Sequence, residues 1–164
     1  MSNDDCGSAA DFAFAKEPFS QRPDKLPILL VEDEPDHALL VQDALKEDDG
    51  IRLLRVVQSG EEAIAYLSGQ GEFADRATHP FPFLMLLDLN MPGIGGFGVL
   101  RWLQNHPDVN EKLRTVVLSS VQSSKEIELA GELGVKQYWV KSDWMLLRQR
   151  IRDLRTSLSD EDTW

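Results

Sequence analysis

Five short apolar runs, separated by stretches with helical spacing, constrain the fold of this chain more than any other feature. The runs are residues 27–31, 51–57, 83–87, 115–118 and 137–140. Each has the length of one β-strand, and most lack the polar alternation of a strand with one solvent face. Strands that alternate with helices form a parallel sheet covered by helices on both sides. The predicted fold class is therefore α/β, a doubly wound five-stranded parallel sheet of order 2-1-3-4-5.

The stretches between the runs predict five helices. Pro35 is well placed as a first helical residue, and a second helix is expected over residues 61–67. A third begins near Gly96, and a fourth covers residues 124–133, where Gly134 would end it in a left-handed conformation. The fifth helix carries its apolar stripe at Trp144, Leu147, Ile151, Leu154 and Leu158.

Length and composition limit the classes of protein to which the chain could belong. Its 164 residues suffice for one domain, expected at residues 26–158, with a flexible N-terminal arm at 1–25 and an acidic tail at 159–164. With 17 basic and 28 acidic residues the net charge is -11, which disfavours direct DNA binding through phosphate contacts. The single cysteine, Cys6, and the lack of a long apolar segment predict a cytoplasmic protein with no membrane span.

Acidic residues follow two of the apolar runs at the point where each predicted strand ends. Glu32 and Asp33 come after the first run, and Asp88 follows the third. Because strands 1 and 3 are neighbours in the predicted order, these side chains meet at the crevice where the winding reverses. Three carboxylates so close together ionise jointly only beside a cation, and oxygen ligands favour Mg²⁺. The sequence therefore predicts a Mg²⁺ site at these acids, to which the backbone carbonyl of Asn90 could add a ligand.

Two more polar residues end the later strands. Ser119 follows the fourth run and Lys141 follows the fifth, so both are expected at the same crevice. A carboxylate nucleophile, a divalent cation, a hydroxyl and a lysine are the parts of a phosphoryl-transfer site. Asp88 would attack, Lys141 would neutralise developing charge, and Ser119 would hydrogen-bond the product. No acid for the leaving group is evident, so the phosphoryl donor is expected to be reactive by itself.

The segments LLVEDE, LLDLNMPGIGGF, VVLSS and YWVK, in this order and spacing, resemble the strand ends of a response-regulator receiver domain similar to the chemotaxis regulator. The resemblance covers about residues 27–158 and implies the flavodoxin-like receiver fold. Carried over by position, Glu32 and Asp33 resemble the acidic pair that holds Mg²⁺, and Asp88 resembles the phospho-accepting aspartate. Asn90 matches the residue whose carbonyl binds the metal.

The remaining matches concern residues that, in the family, bind the phosphoryl group or respond to it. Ser119 resembles the switch hydroxyl, Tyr138 the rotating aromatic residue and Lys141 the invariant-type lysine, while Pro92 and Gly96 match the loop after the acceptor. The family implies a single-domain response regulator of a two-component phosphorelay, which takes its phosphoryl group from a sensor histidine kinase. It would be no enzyme beyond self-catalysed phosphotransfer and autodephosphorylation. Phosphorylation would change a surface that binds a downstream protein partner, and we expect a homodimer.

The chain departs from the family pattern in three places. Ser142 follows Lys141 where receivers usually have a proline, often with a cis peptide bond, so the backbone of this loop could be cis or trans. Gly95 precedes Gly96 where an aspartate is common. The segment SGQGEFADRATHPFPF before the third strand is longer than a minimal receiver needs. That extension and the LLDLNMP context are similar to stand-alone regulators paired with phytochrome-type kinases, which makes such a kinase the expected donor.

Other readings of these residues stay open at the level of sequence. Glu32 and Asp33 could be a cluster at a helix start, Asn90 a turn residue and Tyr138 a strand aromatic without a switching role. The alternative function is that of a degenerate receiver, which binds its partner without phosphorylation. The observation that suggests it is the serine that follows Lys141 in place of the usual proline.

Two further possibilities are disfavoured by the residues present. A haloacid-dehalogenase-like phosphatase needs a second acid two residues after its nucleophile, and the chain has Asn90 there. His37, His79 and His106 are too dispersed to suggest a metal triad or a phosphohistidine relay, and we expect them at the surface.

Overall fold

The computed structural model describes residues 24–120, 122–141 and 144–159, and all elements named below lie in these ranges. The strands β1 to β5 are Leu26–Val31, Ile51–Val57, Leu84–Asp88, Arg114–Ser119 and Gln137–Val140. The main helices α1 to α5 are Pro35–Lys46, Gly60–Ser68, Gly95–Gln104, Ser124–Glu132 and Trp144–Ser159. A short 3₁₀ helix at Gly71–Phe73 and a single α-helical turn at Pro107–Asn110 were not expected from the sequence.

The five strands form one parallel sheet in the order β2-β1-β3-β4-β5, which confirms the predicted fold class. Every residue of β3 is buried, which explains why its sequence shows no polar alternation. β3 begins and ends one residue later than predicted, so Asp88 is the last residue of the strand rather than the first after it. Ser119 is likewise the last residue of β4.

The helices cover both faces of the sheet and enclose two cores. One core lies under α1 and α5, and the other lies under α2, α3 and α4. The adjacent residues Leu29 and Leu30 are both fully buried but belong to opposite cores, as the alternation of side chains along a strand requires. The predicted stripe of the fifth helix is buried at Leu147, Ile151 and Leu154.

The ends of the helices follow the local sequence signals. Pro35 is the first residue of α1, as predicted. The Ser59 hydroxyl accepts a hydrogen bond of 3.1 Å from the backbone N–H of Glu62 and caps α2. Gly134, two residues beyond α4, has φ +92° and takes the left-handed conformation that was expected there. α3 begins at Gly95, one residue before the predicted start.

Parts of the predicted chain organisation lie in residues that the structure does not describe. The predicted arm up to residue 23, the tail from residue 160, Ser142, and the side chains of Trp144 and Leu158 lie outside the described residues. Among the helices that are described, none is long and apolar enough to cross a membrane.

Candidate functional site

Three acidic side chains meet where β1 and β3 end. Glu32 and Asp33 follow β1 directly, and Asp88 ends β3. The two strands pair with Val31 opposite Leu87, so the residues that come next on each strand lie at the same edge of the sheet. One carboxylate oxygen from each acid lies within 4.8 Å of the others. The convergence expected from the strand order is therefore observed.

Burial and charge act in opposite directions on this acidic cluster. Glu32 and Asp88 are buried, whereas Asp33 is partly exposed. Burial raises the pKa of the Glu32 carboxyl to about 7, and the nearby charge of Asp88 adds to the increase. The hydrogen bond and charge of Lys141 lower the same pKa but do not outweigh burial. Glu32 thus needs more positive charge than Lys141 supplies to be fully ionised near neutral pH.

Lys141 brings an ammonium group into this cluster. It follows β5 directly, and its backbone N–H donates to the Ser119 carbonyl at 2.8 Å, which extends the pairing of β4 and β5. Its side chain is only 4% exposed. The Lys141 ammonium forms an ion pair with Glu32 and lies 3.4 Å from Asp88 Oδ2. A residue predicted from its place after β5 therefore contacts two of the three acids.

The arrangement of the acids fits a divalent cation. Asp33 Oδ1 is buried and has no hydrogen-bond partner among the described residues. A buried carboxylate oxygen without a donor is costly, and a cation would remove that cost. Three carboxylates within reach of one another supply the hard oxygen ligands that Mg²⁺ and similar ions prefer. Glu32, Asp33 and Asp88 could therefore hold such an ion together.

Hydrogen bonds connect the surroundings of Asp88 to helix α4. The Asn90 backbone N–H donates to Asp88 Oδ1 at 3.1 Å, and its side-chain Nδ2 donates to Ser119 Oγ at 3.4 Å. The Tyr138 hydroxyl donates to Glu126 Oε2 on α4 at 3.4 Å. Burial raises the pKa of Tyr138, whereas a hydrogen bond with Ser119 lowers it. The side chains of Asn90, Ser119, Tyr138 and Glu126 thus form a continuous polar chain.

Two polar residues beside the site were missed by sequence reasoning. His37 was expected at the surface, but its side chain is only 30% exposed and its Nδ1 lies 3.3 Å from Lys141 Nζ. Glu126, the hydrogen-bond partner of Tyr138, was not singled out. Both residues lie in the first turn of a helix that begins beside the carboxyl edge of the sheet. That shared position is the signal by which they could have been found.

The sequence is similar to those of known response regulators. Residues 28–152 match the family described as the response regulator receiver domain. Response regulator Rcp1 of Synechocystis sp. PCC 6803 is 36% identical over 115 residues, which cover 70% of this chain and 76% of Rcp1.

Solved structures give the same result. The phosphorylated cyanobacterial phytochrome response regulator RcpA is similar with a TM-score of 0.73 and 31% identity, over 85% of this chain and 97% of that one. The Mn²⁺-bound form of Rcp1 is similar with a TM-score of 0.70 and 32% identity, over 84% and 96%. The chain therefore belongs to the response-regulator receiver family of two-component signalling.

Proposed function

We propose that this receiver accepts a phosphoryl group on Asp88 from a histidine kinase and thereby switches a protein-binding surface. The observation that carries the proposal is the surroundings of the Asp88 carboxylate. It ends β3 within 4.8 Å of oxygens of Glu32 and Asp33, and the buried ammonium of Lys141 lies 3.4 Å away. These groups provide a nucleophile, a place for a divalent cation and a fixed positive charge.

In the proposed reaction a carboxylate oxygen of Asp88 attacks the phosphorus of a phosphohistidine. The P–N bond breaks as the P–O bond forms, and the imidazole nitrogen of the kinase leaves with the electron pair. Lys141 would neutralise charge on the phosphoryl oxygens, and Ser119 would donate a hydrogen bond to one of them. Mg²⁺ held by Glu32, Asp33 and Asp88, with the Asn90 carbonyl as a further ligand, would supply additional charge neutralisation. We expect no enzyme activity beyond this transfer and self-catalysed hydrolysis of the acyl phosphate.

The switch would run through the polar chain described above. Recruitment of Ser119 to the phosphoryl group would end its contacts with Asn90 and Tyr138. The Tyr138 hydroxyl, which now donates to Glu126 on α4, would then be free to change partner. A local change of hydrogen bonding would in this way bias the surface around β4, α4 and β5. Tyr138 is thus proposed as the switch residue alongside Ser119.

The partners are proposed from the resemblance and from the relatives. RcpA is described as a cyanobacterial phytochrome response regulator, and the extended segment before β3 of this chain is the feature on which the sequence resemblance to such regulators rests. We propose a phytochrome-type histidine kinase as donor and a downstream protein as the receiver of the signal. A homodimer, a cytoplasmic location and the absence of direct DNA binding remain part of the proposal, supported by composition and by the family resemblance.

A phosphoryl mimic tests the proposed function. Beryllofluoride added with Mg²⁺ should shift the backbone amide resonances of Ser119 and Tyr138 in the wild type. Asp88→Asn should show no such shift, whereas the exposed control Asp108→Asn should behave as the wild type does. Equal shifts in Asp88→Asn, or none in the wild type, would contradict the proposal. Repeating the titration with EDTA tests the requirement for the cation.

A further inference from the structure

The Lys141 ammonium has a third partner besides the two carboxylates. Its Nζ lies 3.3 Å from Nδ1 of His37, in the first turn of α1. An ammonium has three N–H groups and no lone pair, so the imidazole nitrogen has to accept in this contact. His37 would then be neutral, with its proton on Nε2. We propose that His37 is a positioning residue that holds the Lys141 ammonium in place for phosphoryl transfer to Asp88.

Burial explains why the ammonium needs this acceptor. The Lys141 side chain is 4% exposed, so water contributes little to satisfying its N–H groups. Glu32 accepts a hydrogen bond from the ammonium, Asp88 forms an ion pair with it, and His37 presents a nitrogen acceptor to it. The first two are also the proposed metal ligands, whereas His37 contributes from α1 and carries no negative charge. The hydrogen bond to His37 can therefore hold the Lys141 ammonium whether or not Glu32 and Asp88 also bind a cation.

A competing contact involves the same imidazole nitrogen. His37 Nδ1 also lies 3.3 Å from Glu34 Oε2. If Nδ1 carried a proton it would donate to Glu34 and could not accept from Lys141, so the two hydrogen bonds exclude each other. The Glu34 side chain is 60% exposed and can be solvated by water, whereas the Lys141 ammonium is enclosed. The greater cost of leaving the buried donor without an acceptor favours the contact with Lys141.

Three variants separate this role from general effects of substitution. His37→Asn places an amide oxygen near the position of Nδ1 and keeps an acceptor, and His37→Leu removes it. His106→Leu is the control, because the His106 ring bonds the Trp102 carbonyl at the far end of α3. This inference rests on the proposed function, so one readout has to be independent of phosphorylation.

The first readout is the ¹⁵N NMR spectrum of the histidine and lysine side chains in metal-free protein. We expect His37 to carry its proton on Nε2, and we expect the Lys141 Nζ resonance to move in His37→Leu but to stay near the wild-type position in His37→Asn and His106→Leu. A proton on Nδ1, or an unmoved Lys141 resonance in His37→Leu, would overturn the proposal. If His37→Leu does not fold, the tautomer of His37 in the wild type tests the proposal: a proton on Nε2 supports it and a proton on Nδ1 overturns it.

The second readout is the rate of phosphorylation by phosphoramidate with saturating Mg²⁺. We expect His37→Leu to be slower by about 10-fold, because the ammonium is less well placed, and His37→Asn to be within about twofold of the wild type. Equal rates for His37→Leu and the wild type would exclude a role in transfer. If the wild type takes up no phosphoryl group at all, the proposed function fails, while the spectra still decide whether His37 holds Lys141.

Discussion

Glu32 is the residue at which burial and charge oppose each other most directly. Its side chain is buried at the end of β1, and burial raises its pKa from the ordinary value of 4.5 to about 7 despite the ion pair with Lys141. In the unfolded chain the carboxyl group returns to its ordinary pKa. Between these two values the folded protein binds more protons at Glu32 than the unfolded protein does.

This difference predicts how the stability of the metal-free protein depends on pH. The contribution of Glu32 is fully present below pH 4.5 and is lost as the pH rises to about 7, because ionisation costs more in the folded state. The free energy of unfolding in EDTA should therefore fall from pH 5 to pH 7.5, by on the order of 1 to 3 kcal/mol, more than it does in Glu32→Gln. Urea unfolding measures this difference. If the free energy of unfolding depends on pH in the same way in the wild type and in Glu32→Gln, the raised pKa of Glu32 is contradicted.

At the scale of elements, the start of α3 lies so close to the end of β3 that a side chain at Gly96 has no room. A Cβ atom there would lie 2.6 Å from the Leu89 Cα and would overlap the Asp88 carbonyl oxygen. Both obstacles are backbone atoms, so neither can move away as a flexible side chain could. Gly131 in α4 is different, because a Cβ atom there would meet nothing within 4 Å. The two helical glycines therefore make a matched pair.

We predict opposite effects of alanine at these two positions. Gly96→Ala should lower the free energy of unfolding by about 1 to 3 kcal/mol, because it forces α3 away from the end of β3. Gly131→Ala should leave stability unchanged or raise it by up to about 1 kcal/mol, because alanine favours the helix. Urea unfolding of both variants measures these free energies. An unchanged free energy of unfolding in Gly96→Ala would contradict the prediction, because it would show that the backbone around Gly96 can move to make room for a Cβ atom.

The segment between α2 and β3 is attached to the fold by polar contacts to backbone carbonyls. The Arg76 guanidinium donates to the carbonyls of Tyr66 and Leu67 at the end of α2, at 2.8 Å each. It adds a second donor to the Tyr66 carbonyl, which also accepts from the Gly69 N–H, and supplies a donor to the Leu67 carbonyl near the helix end. The Tyr66 hydroxyl donates to the Pro80 carbonyl at 3.0 Å. The extension is thus held to the end of α2 by two of its residues, Arg76 and Pro80.

Removal of the guanidinium should loosen this segment. We predict that Arg76→Met lowers the free energy of unfolding by about 1 to 3 kcal/mol, because the Leu67 carbonyl loses the guanidinium donor and the Tyr66 carbonyl loses one of its two donors. It should also speed cleavage by chymotrypsin after Phe73, a bond that the substitution leaves unchanged. Arg101→Met, on an exposed part of α3, should change neither quantity. Wild-type proteolysis rates in Arg76→Met would show that Arg76 does not hold the segment.

At the scale of the whole molecule, the sheet order and the meeting of the polar strand ends could be predicted from the sequence. The reason is general, since parallel strands direct all their carboxyl ends to one edge, and Glu32, Asp88 and Lys141 each stand at such an end. The first-turn positions of His37 and Glu126 place both residues near the site, but the atoms that they contact could not be predicted, because those contacts depend on how α1 and α4 are oriented on the sheet. The register shift between β1 and β2 at Ile28 and Leu29 likewise could not be predicted from the sequence.

The measurement that tests the central claim most directly is the mass of the protein and of its Asp88 peptide after incubation with phosphoramidate or acetyl phosphate and Mg²⁺. We predict the addition of one phosphoryl group, located on Asp88, labile as an acyl phosphate, and absent when EDTA replaces the metal. Asp88→Asn should gain nothing, and the control Asp108→Asn should gain as much as the wild type. An unchanged mass in the wild type, or a phosphoryl group on another residue, would contradict the assignment of Asp88 as the acceptor.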